Sequence, residues 1–110
     1  MKITFKNRSL LKLANNEKRR IAAMGKIRAD KFNRRLVDLL EAENLEMLRF
    51  LPGNYHELNG DRKNQWACDL DQPYRLIFML HQRPALKDLH SGSVSLEIQG
   101  VEIVEIVDYH

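Results

Sequence analysis

The stretch YHELNGDRKNQWACDLDQPYRLIF, Tyr55 to Phe78, crowds a histidine and three basic residues around two apolar runs, and the chain closes on Asp108, Tyr109 and His110. Imidazole titrates near neutrality, so His56 and His110 can work as a pair in which one ring removes a proton while the other donates one. That use requires the ends of two strands to meet. Arg62, Lys63 and Arg75 supply the second ingredient. Guanidinium groups hold phosphate oxygens through paired hydrogen bonds and stabilise the charge that grows during phosphoryl transfer. Tyr109 can stack on a base or hydrogen-bond a phosphate.

Each of these residues also has a plainer use. A lone histidine is more often exposed or structural than catalytic. Arg75 interrupts an apolar run between Tyr74 and Leu76, and a buried arginine requires an acidic mate, for which Asp61, Asp69 and Asp108 are the candidates. Trp66, Cys68 and Leu70 alternate strictly and read as core. Cys68 has no base beside it in sequence. One cysteine and four scattered histidines show none of the paired spacings that build zinc sites, so neither a metal nor another cofactor is expected. No P-loop pattern is present.

Positioning these side chains falls to one domain, because 110 residues suit a single core. Met1 to Phe5 alternates as a short strand. Ser9 is a possible cap for a brief helix carrying Leu10, Leu11 and Leu13, and Asn15 to Arg20 reads as a loop or frayed turn. A longer helix is predicted from about Lys26 to Glu43, with Ile27, Phe32, Leu36, Leu39 and Leu40 on one face. Asn44 caps a short helix with Leu45, Leu48 and Leu51, ended by Pro52-Gly53.

The period then changes to two. Gln65 to Leu70 and Tyr74 to Leu80 form strands joined at Asp71-Gln72-Pro73. His81 to Ser93 reads as a long connection. Val94 to Ile98 and Val101 to Tyr109 follow as strands, able to fuse or bulge around Gln99-Gly100. The order implies an α+β sandwich with helices on one face of an antiparallel sheet.

Charge is polarised. Residues 1–35 hold 12 Lys/Arg against 2 Asp/Glu, whereas the remainder holds 6 against 13. A basic surface from the N-terminal third, including Arg19, Arg20, Arg34 and Arg35, is suited to RNA, the ribosome or an acidic partner protein, with a solvated helix face as the plainer alternative. No apolar run reaches the roughly 18 residues of a membrane span, so no membrane partner is expected. MKITFK reads as a strand rather than a secretion signal, and the single cysteine fits a reducing cytoplasm.

The central block, with the opening ITFKNRSL, the helical NLEMLRFLPG and the closing VEIVEIVDYH, resembles the HigB-type "plasmid maintenance killer" toxins of the RelE/ParE superfamily. The likeness runs over almost the whole chain, and H-x-L-x-G-D-R, PYRLIF and a terminal D-Y-H are specific in combination. It implies a RelE-like microbial RNase fold, with an N-terminal strand and helices packed on a curved antiparallel sheet. It also implies the toxin of a type II toxin–antitoxin system, a ribosome-dependent endoribonuclease that cuts mRNA and is neutralised by a HigA-like helix-turn-helix antitoxin. On the matched motifs, the catalytic positions fall on His56, Asp108, Tyr109 and His110, and Arg75 contacts the scissile phosphate. At the phosphate, Asn59 stands in place of that family's usual lysine and supplies only a neutral amide, for which Lys63 or Arg62 can compensate. Asn64 likewise replaces a common glycine.

The reaction expected is attack of a ribose 2′-hydroxyl on the adjacent phosphorus without a metal. Two rivals stand beside it. One is a ParE-like inhibitor that binds a target such as DNA gyrase without cutting RNA. The other is a decayed toxin that still binds its antitoxin.

Overall fold

The computed structural model describes residues 1–84 and 96–109. Among these, five strands appear in chain order: β1 (Lys2–Phe5), β2 (His56–Glu57), β3 (Gln65–Asp69), β4 (Tyr74–Pro84) and β5 (Leu96–Asp108). They form one sheet in the order β1-β5-β4-β3-β2. β1 runs parallel to β5, and every other neighbouring pair is antiparallel. Three helices, α1 (Arg8–Asn15), α2 (Glu17–Glu41) and α3 (Leu45–Leu48), fill the chain between β1 and β2. The α+β class expected from the pattern is therefore present. Among the described residues no helix is long and apolar enough to cross a membrane.

Alternation decides which side of the sheet is core. Trp66, Cys68, Leu76, Phe78, Val101 and Ile103 turn to the helices and pack with Leu10, Phe32, Leu36, Leu39, Leu48 and Tyr55. Fully burying a side chain such as Phe32 or Phe78 contributes roughly 2 kcal/mol relative to exposure. β1 obeys the same period, with Ile3 and Phe5 against the core and Lys2 and Thr4 exposed on the other face.

The helices start elsewhere than expected. Asn7, not Ser9, caps α1, its side chain accepting from Leu10 N at 2.9 Å. The polar segment Asn15 to Arg20 is mostly helix rather than loop, because Asn16 caps α2 by accepting from Arg19 N at 2.9 Å. Arg20 is buried there and donates to the Leu13 and Ala14 carbonyls at 3.0 and 3.1 Å, satisfying the last turn of α1. α2 breaks at Gly25 (φ 80°, ψ 162°). Its buried stripe is Ala29, Phe32, Leu36 and Leu39; Ile27 and Leu40, expected on it, are 68% and 57% exposed. Asn44 caps α3 as expected.

Arg35 is the hub that seats the strands beneath α2. Its Nε donates to the Asp69 carbonyl at 2.7 Å and its Nη1 to the Pro52 carbonyl at 3.1 Å. Asp38, also buried, lies 3.9 Å from Arg35 Nη1 and accepts from the Tyr55 hydroxyl at 3.1 Å. Burial drives the Tyr55 pKa well above the ordinary phenol value, so Tyr55 stays a donor. Gly53 (φ +123°) packs on this hub; a Cβ there would sit 2.8 Å from Arg35 Cζ.

β4 runs on to Pro84, and β5 is one strand in place of the two expected. The remainder of the expected connection, 85–93, and the first two positions of the strand expected from Val94, lie outside the described residues. Register shifts at Ile77/Phe78 and His81/Gln82 leave Val104 and Gln99 as extra residues of β5.

Candidate active face of the sheet

The sheet face turned away from the helices carries a small apolar floor of Ala67, Ile77 and Val104, flanked by Leu58, Met79 and Val107. Residues opposite one another in register share a face, and this places the chemistry. His56 lies opposite Ala67, Ala67 opposite Ile77, and Ile77 opposite Glu105. The next row reads Asp69, Arg75, Val107, with Tyr109 two residues further on. Two strand spacings and two residues of rise separate the His56 and Arg75 Cα atoms by roughly 12 Å. From that separation an imidazole and a guanidinium can both reach one phosphodiester.

His56 opens β2 directly after the loop that Arg35 anchors. Its Nδ1 lies 2.7 Å from the Asn54 carbonyl oxygen. A carbonyl only accepts, so Nδ1 carries the hydrogen, and Nε2 is the ring nitrogen that this contact leaves to face a ligand.

Arg75 is neither free nor sealed. Its Nε lies 3.5 Å from Asp69 Oδ1, and its side chain remains 32% exposed. The pairing is loose, since Asp69 Oδ1 is buried without a hydrogen bond. The guanidinium carbon stands 4.5 Å from the Tyr109 ring centroid, a cation–π contact. Of the three acids offered as mates, Asp69 is the one observed as an ion-pair partner. Arg62 rises from the β2–β3 loop and reaches across the sheet, its Nη1 donating to Gln65 Oε1 and Glu105 Oε1, both at 3.2 Å. The face thus holds two arginines, each with one carboxylate, beside an imidazole and a phenol ring.

Other expected residues fall elsewhere. Asp108 lies opposite Tyr74 in register, on the helix-facing parity of β5. The period of two separates it from Tyr109. Asn59 and Lys63 are exposed in the loop that carries Arg62. His110 lies outside the described residues. Arg19 and Arg34 are exposed, whereas Arg20 and Arg35 are buried with their guanidinium groups on backbone carbonyls. The expected surface of four arginines therefore narrows to two.

Trp66 and Cys68 are core, and burial pushes the Cys68 thiol up to about 12, far from a nucleophile's range. Among the described residues no group of three or more His, Cys, Asp or Glu is placed to hold a metal ion.

Sequence reasoning missed Glu105 as a member of this face. Glu102 and Glu105 are three residues apart, which puts them on opposite sides of a regular strand. The extra residue Val104 brings both to the open face, and only the register reveals it. No protein-family model, no curated protein and no solved structure matches this chain.

Proposed function

We propose that this open face is the active face of a HigB-type, RelE-like endoribonuclease that cuts mRNA on translating ribosomes. The observation that carries the reading is the gathering of His56, Arg62, Arg75 and Tyr109 on one sheet face over a small apolar floor. The H-x-L-x-G-D-R, PYRLIF and D-Y-H motifs support it. In the proposed reaction His56 Nε2 takes the proton of a ribose 2′-hydroxyl, whose oxygen attacks the adjacent phosphorus. The bond to the 5′ oxygen breaks, and that oxygen leaves with a proton from His110. A 2′,3′-cyclic phosphate and a 5′-hydroxyl result. Arg75, through its Nη atoms, and Arg62 stabilise the charge on the non-bridging oxygens, while Tyr109 holds the guanidinium and stacks on a base. The ribosome supplies the orientation of the message that an open face cannot. A HigA-like antitoxin is the proposed partner, and Arg19 and Arg34 the proposed contacts to ribosomal RNA.

The test is cleavage of a reporter mRNA in a translating extract, with product ends mapped. Wild type is expected to yield 5′-hydroxyl ends. His56→Ala is expected to lose about 10²–10⁴-fold in rate, the usual contribution of one acid–base group. Undiminished cleavage by His56→Ala overturns the mechanism.

A contact inhibitor of the ParE kind draws on one observation, the 88% exposure of Phe50 with Met47 and Leu40 also exposed on the helical side. Uncut message with rising DNA-damage signalling on induction would select that reading.

A further inference from the structure

A hollow of about 110 Å³ opens elsewhere on the sheet, lined by Lys2, Thr4, His81, Gly100 and Val101. Lys2 and His81 are both opposite Gly100 in register, on β1 and β4 respectively. They therefore flank it on the open face, with Cα atoms about 10 Å apart by strand spacing. Gly100 cannot carry a side chain, because a Cβ would lie 2.6 Å from the Lys2 carbonyl oxygen. An ammonium and an imidazole thus stand on either side of a gap, and among the described residues neither has a hydrogen bond or ion pair. Pockets for whole small molecules run to roughly 300–1,000 Å³, so this one has room for a single anionic group.

We propose that the hollow binds one phosphate of the RNA strand whose scissile bond lies at Arg75, an inference that rests on the ribonuclease reading. His81 and Arg75 share β4 and one face, separated by about 20 Å along the strand, a span that several nucleotides of extended RNA cover. Phosphate contacts fix register without reading sequence, so this contact positions the message relative to His56. Glu102, opposite Thr4 and Met79, stands one row closer to the active residues. It repels a phosphate at that step and offers an acceptor to a 2′-hydroxyl or a base amino group. The strand is anchored by phosphates at the two ends of the face.

Two measurements on the full chain test this. In an NMR titration with inorganic phosphate at constant ionic strength, the Gly100 amide and His81 ring signals are expected to shift saturably. The Lys2→Gln/His81→Gln double variant should abolish that response, and Glu102→Gln should tighten it. In fluorescence anisotropy with single-stranded RNA, the double variant should weaken binding of a long oligonucleotide about tenfold. Its salt slope should be shallower by about 0.7 for each phosphate that the variant no longer neutralises. Its affinity for a trinucleotide should not change. No saturable phosphate shift, or equal affinity of wild type and double variant for the long strand, overturns the hollow as a subsite while cleavage by wild type persists. If wild type neither binds RNA nor cuts message, the ribonuclease reading falls first and takes this inference with it.

Discussion

Arg75 holds a loose ion pair with Asp69, a stacked ring in Tyr109 and a partly exposed guanidinium at once. Such a group can exchange a distant carboxylate oxygen for a phosphate oxygen at small cost, because the hydrogen bond to Asp69 is not made. Arg75→Lys keeps the charge but loses the planar fork and the stacking, so cleavage should fall at least about tenfold, with secondary structure by circular dichroism unchanged. Tyr109→Phe keeps the ring under the guanidinium and should cost only a few-fold. A loss in Tyr109→Phe as large as in Tyr109→Ala would move the role from stacking to the hydroxyl. Cys68 belongs to the same scale. Its buried thiol, with a pKa pushed up to about 12, should resist alkylation at pH 8 until the chain is unfolded, as mass spectrometry of labelled protein can show.

The turn between β3 and β4 is fastened to α2 by one residue. Arg28 donates to both Asp71 oxygens, at 2.8 and 3.2 Å, and lies over the Tyr74 ring at 3.4 Å. The Arg28 hydrogen bond holds the Asp71 carboxyl below the ordinary carboxylate range. A pKa lowered by folding stabilises above the unfolded value of about 4 and loses that contribution as pH falls through the lowered one. Urea midpoints measured from pH 6 downward should therefore fall more steeply below pH 4 for wild type than for Asp71→Asn. The Arg35 hub predicts a second effect. Gly53→Ala drives a Cβ into the guanidinium from a left-handed backbone, and about 1–3 kcal/mol of stability should be lost. A neutral outcome in chemical denaturation would mean that Arg35 can shift without cost. The caps on these helices were readable at Asn44, where an apolar run follows directly, and not at Asn16. There the helix opens on Glu17, Lys18 and Arg19, and polar composition imitates a loop.

At the scale of the molecule, the positive balance of the first 35 residues survives folding only in part as a usable surface. Two of its arginines are taken up inside the fold by backbone carbonyls. Arg19→Gln/Arg34→Gln should weaken ribosome association and flatten its salt dependence, with only a small fall in thermal midpoint from loss of the Arg34–Asp38 pair at 3.2 Å. Arg20→Gln should lower the midpoint instead, since it strips the cap from α1. Equal ribosome binding by Arg19→Gln/Arg34→Gln and wild type, measured by co-sedimentation, would return these residues to a plain solvated face. By itself the amino-acid order determined the class of fold, the alternation that buries Trp66, Cys68, Leu76 and Phe78, and the placing of His56 at the start of one strand and Arg75 within another. Those follow from local period and turn residues, which act over a few positions. Tertiary structure alone decided that Glu105 joins Arg62, that Asp108 falls opposite Tyr74, and that Lys2 and His81 flank Gly100. Each depends on strand register and on extra residues absorbed in β5, which the pairing of distant segments sets and no local pattern records.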